Sequence, residues 1–352
     1  MPKALQLVYI PYKLEMTGAA ELKPLRVAFI GAGTANFGSS DGFVSGESLG
    51  AWNHAARLEQ LPGIEVTAIV DPHTKLAAYR LKKHQHGKHA SKWTDSAIFS
   101  SYKAMLESEA RPEAAIVGAP SDVRGGCDDP SCTMELDLAQ AGIHMLVEKP
   151  ISIKGIREVQ ALSQQLQQLQ EAKRLVISVG YQMRYLPAVE AILQLLAEHG
   201  KPIAAVLGRF YGVYNCNRRA YLWDEQVSGG IIVQQATHFV DLMRYIGGDI
   251  DPASVVAAAV GPGYPLSETE LLAPEGEAPV PFDRRSNRVT TAAWHFQGGA
   301  VGMLVHSKVL HERSYFTELE VLADGLHIIL EDAYNSPKAQ KAAGYQFYVP
   351  PF

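Results

Sequence analysis

Two side chains suited to alcohol–ketone interconversion lie in distinctive local sequences. Lys149 is the middle residue of a Glu-Lys-Pro triplet at 148–150 that closes an apolar run, and His238 ends a helix-like stretch over 228–238. A lysine ammonium can hydrogen-bond a reacting oxygen and stabilise the alkoxide that develops as hydride leaves carbon. A histidine can take up the hydroxyl proton. Together, these two residues supply the groups that hydride transfer needs.

A glycine turn near the N-terminus provides a candidate dinucleotide site. It follows the apolar run 25–30 directly, and such a turn lets backbone N–H groups approach a pyrophosphate. A third glycine is expected at position 36, where Asn36 stands. The candidate cofactor-binding residues of the turn are Gly31, Ala32, Gly33 and Thr34.

Asp71 ends the second apolar run, in the sequence Ile-Val-Asp-Pro at 69–72. A carboxylate here would accept hydrogen bonds from ribose hydroxyls and would repel a 2′-phosphate. The sequence therefore predicts NAD as cofactor in preference to NADP. The alternative is an ordinary glycine turn followed by a helix-capping aspartate.

The hydrophobic pattern predicts the elements that position these residues. Apolar runs at 25–30, 65–70, 114–117 and 144–147 alternate with helical stretches, the pattern of a doubly wound parallel sheet. Beyond residue 201, alternating strands predict a large, mostly antiparallel open sheet. The predicted fold class is α/β: a Rossmann domain and then an α+β domain for substrate binding and oligomerisation. The predicted limits are an N-terminal extension at 1–24, the Rossmann domain at 25–150 and the α+β domain at 151–352.

Composition and charge limit the functional class. The chain has 352 residues, enough for two domains. Its net charge of −5 argues against a nucleic-acid surface, and no apolar run approaches the ~20 residues that span a bilayer. Three cysteines fit a reducing compartment better than a disulfide framework. We therefore expect a cytoplasmic protein that binds neither nucleic acid nor membrane.

The order and spacing of the glycine turn, the Glu-Lys-Pro triplet and the histidine resemble the glucose-fructose oxidoreductase / inositol dehydrogenase / MocA family over about residues 25–332. The resemblance implies an NAD(P)-dependent oxidoreductase acting on a secondary alcohol or ketone of a sugar, polyol or related cyclic compound. It also implies a homodimer or tetramer. The implied catalytic residues are Lys149 and His238, with further cofactor contacts from Ala119, Pro120 and Glu148 and substrate contacts from Gln234, Arg184 and Tyr185.

The chain departs from the family pattern beside the histidine. Four residues before it the family has an acid, usually aspartate, where this chain has Gln234. An amide can hold a hydroxyl or the histidine by hydrogen bonds, but it cannot take a proton or support a positive imidazole. We therefore expect the His238 imidazolium to form less readily than in relatives. Asp241 is a candidate partner for His238, with helix capping or pairing to Arg244 as the favoured alternative.

Departures also lie near the implied cofactor loops. After Pro120 the family has an asparagine and, three residues further on, a histidine, where this chain has Ser121 and Arg124. The segments 36–46 and 125–131 resemble insertions relative to the family.

Other side chains remain ambiguous. Tyr211, Tyr214 and Trp223 could stack on a sugar or form aromatic core. Cys127 and Cys132 lack a second cysteine or histidine pair, so a plain loop is favoured over zinc and no metal site is predicted. The histidines of the polar helix end, at positions 84, 86 and 89, are expected on a solvated face.

Three functions fit this sequence. The first is a dehydrogenase in which Lys149 stabilises the alkoxide and His238 shuttles the proton. The second is a redox-neutral, NAD-dependent enzyme that cleaves a glycoside through transient oxidation. The third is a non-catalytic, NAD-binding regulator of the same fold. Gln234, the altered glycine turn and the two insertions favour it, whereas the intact triplet and histidine oppose it.

Overall fold

A computed structural model of the protein describes residues 23–38, 53–214, 220–266, 280–311, 316–331 and 346–348. The first sheet has six parallel strands in the order β3-β2-β1-β4-β5-β6. These strands are β1 (Leu25–Ile30), β2 (Ile64–Val70), β3 (Ala97–Phe99), β4 (Ala114–Val117), β5 (His144–Val147) and β6 (Ile177–Val179). The sheet therefore continues past residue 150, where the sequence analysis placed the end of the Rossmann domain.

Helices lie on both faces of this sheet because its central strands are apolar on both sides. Along β1, Val27 and Phe29 pack into one core, whereas Ala28 and Ile30 pack into the other. The predicted doubly wound arrangement is confirmed. The helices of this half are α1 (Thr34–Phe37), α2 (His54–Leu58), α3 (Thr74–Gln85), α4 (Tyr102–Leu106), α5 (Met134–Gln140) and α6 (Ile156–Lys173).

The second sheet has seven strands in the order β13-β12-β11-β7-β10-β9-β8. All its neighbouring pairs are antiparallel except β7 with β10, which is parallel. The predicted fold class, with a mostly antiparallel second sheet, is therefore confirmed. The strands are β7 (Ile203–Val213), β8 (Val256–Val260), β9 (Val289–His295), β10 (Val301–Leu310), β11 (Phe316–Ala323), β12 (Leu326–Glu331) and β13 (Gln346–Tyr348).

Helices cover one face of this second sheet. The core between the two layers contains Phe239 and Leu242 from the helices and Phe210, Leu304 and Val321 from the strands. Alternate residues of the same strands point to the opposite face. The helices are α7 (Pro187–His199), α8 (Glu225–Ser228), α9 (Gly230–Gln235) and α10 (Thr237–Gly247).

The helix-like stretch at 228–238 is divided in the structure. Gly229 and Gly230 have φ of +73° and +87°, left-handed values that interrupt the right-handed helical path between α8 and α9. Ala236 then separates α9 from α10, although its own backbone stays in the helical region. The prediction that one helix carries both Gln234 and His238 is therefore wrong: they lie in consecutive short helices.

Some sequence predictions lie outside the described residues. These are the extension up to residue 22, positions 39–46 of the first apparent insertion, and Cys216. Among the described helices, none is both long and apolar enough to cross a membrane.

His306 on β10 points into the covered face of the second sheet. It is fully buried and stacks on Phe210 with ring centroids 5.0 Å apart. Neither ring nitrogen has a hydrogen-bond partner in the described part of the chain. Burial, followed by the charge of Lys308, lowers the pKa of His306 to about 3. The folded protein therefore holds this imidazole neutral well below pH 6.

We expect acid to destabilise the protein partly through His306. Between pH 6.5 and 3 the unfolded chain binds a proton that the folded chain does not, so the free energy of unfolding falls by ~1.4 kcal/mol per pH unit for this one group. His306→Phe keeps the ring packing and loses no hydrogen bond, so stability at pH 7 should be retained and the acid slope reduced. Urea denaturation at pH 7, 6 and 5 measures both quantities. His73→Phe at an exposed position is the control, and an unchanged slope in His306→Phe would contradict this account.

Candidate active site

The carboxyl ends of the parallel strands border a cavity of about 730 Å³. Ligands of open α/β sheets bind at this edge. Of the residues predicted from sequence, nine line the cavity: Gly31, Gly33, Thr34, Asp71, Ala119, Pro120, Glu148, Lys149 and Gln234. Four others lie outside its lining: Ala32, Arg184, Tyr185 and His238.

The glycine turn lies against the loop that follows β4. Gly31 has a φ of +95°, and a Cβ there would stand 2.9 Å from the backbone of Gly118 and Ala119. Asn36, at the position of the expected third glycine, is buried, and its amide donates to the carbonyls of Gly31 at 2.7 Å and Ile30 at 3.2 Å. The turn therefore needs glycine at position 31, and the hydrogen bonds from the buried Asn36 amide hold its backbone in place.

Asp71 connects the end of β2 to the glycine turn. One carboxylate oxygen accepts the Ala32 N–H at 2.7 Å, and the other accepts the His73 N–H at 2.8 Å. A carboxylate oxygen can accept more than one hydrogen bond, and Asp71 lines the cavity. Its carboxylate is thus oriented by the backbone and can still accept hydroxyl groups.

Glu148 is oriented by two neighbours. Its carboxylate contacts His54 Nε2 at 2.7 Å and accepts the Lys149 N–H at 3.1 Å. Burial alone would raise the pKa of Glu148, but the hydrogen bond and charge of His54, together with the charge of Lys149, lower it. Glu148 therefore adds a negative charge beside the Lys149 ammonium.

The Lys149 ammonium is held at the boundary between the two domains. Its Nζ donates to the backbone carbonyl of Gln234 at 2.8 Å, and the Lys149–Pro150 bond is cis. Burial lowers the pKa of Lys149, and the charge of Glu148 opposes that shift. The side chain is thus a positioned donor that loses its proton more readily than an exposed lysine.

His238 lies in the first turn of α10, and only 5% of it is exposed. Its ring meets the Tyr181 ring edge-on at 6.1 Å, and the Tyr181 hydroxyl is 3.0 Å from that of Thr237. Burial, and then the charge of Lys149, lower the pKa of His238 to about 3. The imidazole is therefore neutral at physiological pH. The lowered pKa agrees in direction with the sequence expectation, but its main cause is burial and not the missing acid at position 234.

The residues around His238 pair differently from the sequence expectation. The Gln234 side chain donates to the carbonyl of Ser228 at 2.9 Å. Asp241 pairs with Arg184 in a two-bond arrangement at 2.7 and 2.5 Å. Both partners suggested for Asp241 are therefore wrong, because the strand-end loop that carries Arg184 packs against α10.

This pairing also explains why Arg184 and Tyr185 lie outside the cavity lining. The Arg184 guanidinium stands 4.8 Å from the centre of the Tyr245 ring, and Arg244 pairs with Asp249 instead. Tyr185 is 72% exposed. The structure therefore does not bring these two residues to the cavity formed by the loops.

The three aromatic candidates occupy two environments, and neither is the cavity. Tyr214 and Trp223 pack against each other in a small buried core, whereas Tyr211 stacks on Phe316. Tyr221, which was not among the residues predicted from sequence, is half-exposed and lines the cavity from the second domain. No local pattern distinguishes Tyr221, since its exposure depends on how the short helical turn at 220–223 meets the first domain.

The remaining ambiguous residues lie in loops and helix ends. The Cys127 thiol contacts Asp128 and the carbonyl of Glu158, and both Cys127 and Cys132 are free thiols. His84 stacks on Trp93 with centroids 4.5 Å apart and contacts Glu59 at 2.7 Å. The expectation of a solvated face is therefore wrong for His84.

The residues present fit a dinucleotide. The turn at Gly31 and Gly33 has no side chains, and nothing lies within 4 Å of the Cβ position of Gly33. Asp71 stands at the end of the neighbouring strand, where a ribose would place hydroxyl donors. Gly31, Gly33, Thr34 and Asp71 would therefore hold the adenosine diphosphate half of such a cofactor.

Comparisons with known proteins agree with this geometry. The model of the oxidoreductase family with an NAD-binding Rossmann fold matches residues 25–181, and that of an oxidoreductase C-terminal domain matches residues 184–326. An uncharacterized protein of Schizosaccharomyces pombe is 32% identical over 322 residues, which cover 89% of this chain and 80% of the relative. Levoglucosan dehydrogenase of Pseudarthrobacter phenanthrenivorans is 27% identical over 242 residues, covering 61% of this chain and 60% of that enzyme.

Solved structures show the same fold at lower identity. The WlbA dehydrogenase of Bordetella pertussis, in complex with NADH and UDP-GlcNAcA, has a TM-score of 0.62 at 17% identity, covering 94% of this chain and 79% of that one. Levoglucosan dehydrogenase in complex with NADH and levoglucosan has a TM-score of 0.61 at 18% identity, covering 92% and 80%. With its NAD-binding Rossmann domain and its oxidoreductase C-terminal domain, the chain belongs to the glucose-fructose oxidoreductase / inositol dehydrogenase / MocA family of oxidoreductases.

Proposed function

We propose that this protein is an NAD-dependent dehydrogenase that oxidises a secondary alcohol of a sugar, polyol or related cyclic compound, or reduces the corresponding ketone. The observation that carries the proposal is the Lys149 ammonium, held in the same cavity as the glycine turn and Asp71. A cation fixed beside a dinucleotide site can stabilise negative charge on a substrate oxygen. The sugar-related ligands of the dehydrogenases with this fold support the substrate class.

In this proposal, Lys149 donates a hydrogen bond to the hydroxyl oxygen and stabilises it as its proton leaves. His238 accepts that proton in its neutral form, which its low pKa maintains. Bound NAD would supply the acceptor for the hydrogen and electron pair that leave the carbon. Tyr221 and Gln234, which line the cavity from the second domain, contact the substrate. Tyr221 offers it a ring face, and Gln234 offers polar groups.

A screen of sugars and polyols with NAD tests the proposed reaction. Absorbance at 340 nm reports net NADH, and chromatography reports consumption of the substrate. Formation of one NADH for each ketone supports the proposal. Consumption of a glycoside without net NADH would instead support redox-neutral cleavage.

A second candidate is a regulator that binds NAD without turning over a substrate. The observation that favours it is the burial of His238, which lies outside the cavity lining although the family resemblance makes it the proton acceptor. NADH binding without turnover of any compound in a broad screen would favour this function.

We expect Asp71 to select NAD(H) over NADP(H). Its carboxylate would accept ribose hydroxyls but repel a 2′-phosphate, and one lost charged hydrogen bond costs about 1.5–3 kcal/mol, or roughly 10- to 100-fold in affinity. Asp71→Ser should therefore weaken NADH binding and reduce the ratio of the affinities for NADH and NADPH. Fluorescence titration with both reduced cofactors measures this, with Asp95→Ser as a control outside the cavity. Equal affinities in the wild type would remove this role from Asp71.

We also propose that two copies pair through the face of the second sheet that none of the described helices covers. Val301 and Met303 on β10 and Phe316 on β11 expose 42%, 36% and 40% of their surface there. Exposed apolar side chains on a sheet face favour an interaction surface. Those of β10 and β11 lie on either side of Arg209 on β7, which pairs with Glu318 and Glu320. We expect Met303→Glu to yield monomers in analytical ultracentrifugation, whereas Ile156→Glu, at an apolar residue that is 79% exposed elsewhere, should leave the assembly intact. A wild-type monomer at all concentrations would contradict this proposal.

A further inference from the structure

Arg124 belongs to the wall of the cavity, and its guanidinium is almost completely enclosed by hydrogen-bond acceptors. Only 1% of the residue is exposed, and all five N–H groups of its guanidinium are directed to acceptors. Nε donates to the carbonyl of Ala119 at 2.7 Å, and the others reach three further carbonyls and one carboxylate. These acceptors are Glu148 O at 2.7 Å, Pro150 O at 3.2 Å, Ile151 O at 3.0 Å and Glu135 Oε1 at 3.1 Å.

The bonded carbonyls belong to two different loops. Ala119 follows β4 and lines the cavity, whereas Glu148, Pro150 and Ile151 surround Lys149 on both sides. These contacts fix the main chain before and after the lysine, but not the lysine side chain. The loop after β4 and the loop after β5 are therefore joined through one planar group.

A buried carboxylate compensates the positive charge of Arg124. Glu135, on α5, is fully buried; one of its oxygens pairs with Arg124 and the other accepts the Gly125 N–H at 2.9 Å. Gly125 itself has a φ of +71°, and a Cβ there would come within 2.2 Å of the Ile151 carbonyl. Arg124 is thus compensated in charge and closely surrounded by backbone.

We propose that Arg124 is the positioning residue of this site: its guanidinium fixes the backbone on both sides of Lys149 against the cofactor loop at Ala119, and so determines where the Lys149 ammonium stands. The catalytic consequence rests on the proposed dehydrogenase function, whereas the link between the loops does not. A lysine at position 124 would keep the charge opposite Glu135, but a compact ammonium cannot reproduce a planar fork with five donors.

Hydrogen exchange measured by mass spectrometry tests the link without any substrate. In Arg124→Lys we expect exchange in peptides covering 118–125 and 147–153 to become about tenfold faster, because the two loops open locally without global unfolding. Arg111→Lys is the matched control, since Arg111 also donates to a backbone carbonyl, that of Ala141, on the exposed surface. Unchanged exchange in both peptides would overturn the proposal, whatever the turnover.

Kinetics with the 352-residue chain test the consequence for Lys149. Arg124→Lys should lower kcat about 100-fold, the effect of a misplaced catalytic group, with a much smaller change in the NADH dissociation constant. In a Lys149→Met background the same change should cost less than about twofold, because the group that it positions is absent. A full additional loss in that background would overturn the positioning role. Faster exchange in a protein whose wild type oxidises no alcohol would refute the proposed function and leave the link between the loops standing.

Discussion

Replacing Lys149 by methionine is expected to lower kcat by about 10²- to 10³-fold, the typical cost of removing one donor to a developing oxyanion. Methionine keeps much of the length and apolar character of the lysine stem, so packing at the domain boundary should be retained. The lost groups are the ammonium and its 2.8 Å bond to the carbonyl of Gln234. Steady-state oxidation of an alcohol found by the screen measures the effect.

Lys92→Met provides the matched control for this prediction. Lys92 also donates its ammonium to a backbone carbonyl, that of Leu61 at 2.6 Å, but it is absent from the cavity lining. Its replacement should leave kcat and the NADH dissociation constant unchanged. Wild-type turnover in Lys149→Met would remove the lysine from the chemistry.

The pH dependence of kcat should also report the deprotonation of Lys149. Burial lowers the pKa of Lys149 below its usual value of 10.5. Because the charged form stabilises the alkoxide, activity should fall with rising pH before it reaches 10.5. The alkaline limb should be absent from the residual activity of Lys149→Met.

Replacing His238 is expected to have the second large effect. Positioned general bases contribute typically ~10²–10⁴-fold in rate, so His238→Ala should lose most turnover while NADH binding is retained. His238→Leu fills more of the buried space and separates packing from proton transfer, and we expect an equal loss. With a pKa of about 3 in the wild type, protonation of His238 should not limit activity above about pH 4. Wild-type activity in both variants would show that the histidine is structural.

Gln234→Asp tests whether the missing acid matters. A carboxylate at this position adds a negative charge near Lys149, which bonds the backbone carbonyl of residue 234. It should raise the pKa values of Lys149 and His238, because it favours their charged forms. His238 then becomes a stronger base, and the alkaline limb of the pH profile, which Lys149 sets, moves to higher pH. Activity should therefore rise. Gln234→Asn is the matched control, because it has the size of aspartate without its charge. Identical pH profiles for the two variants would remove electrostatics from the explanation.

The sequence alone determined the strands of the parallel sheet and the strand ends at which chemistry can occur. Short, nearly continuous apolar runs predict strands that are buried on both faces of a parallel sheet. Ligand sites in such sheets follow the strand ends, so the positions of Gly31, Asp71 and Lys149 could be predicted without coordinates. The local sequence was sufficient here because each feature needs only a few adjacent residues.

Only the tertiary structure decided which side chains meet. Asp241 has several plausible partners in sequence, and the packing of a distant loop on α10 brings Arg184 to it. Likewise, the sequence shows only that Arg124 departs from the family pattern. In the structure its guanidinium donates to carbonyls up to 27 residues away. Burial of His238, which governs its pKa, also depends on elements far along the chain. Such contacts depend on how separate elements pack, and no local periodicity records that.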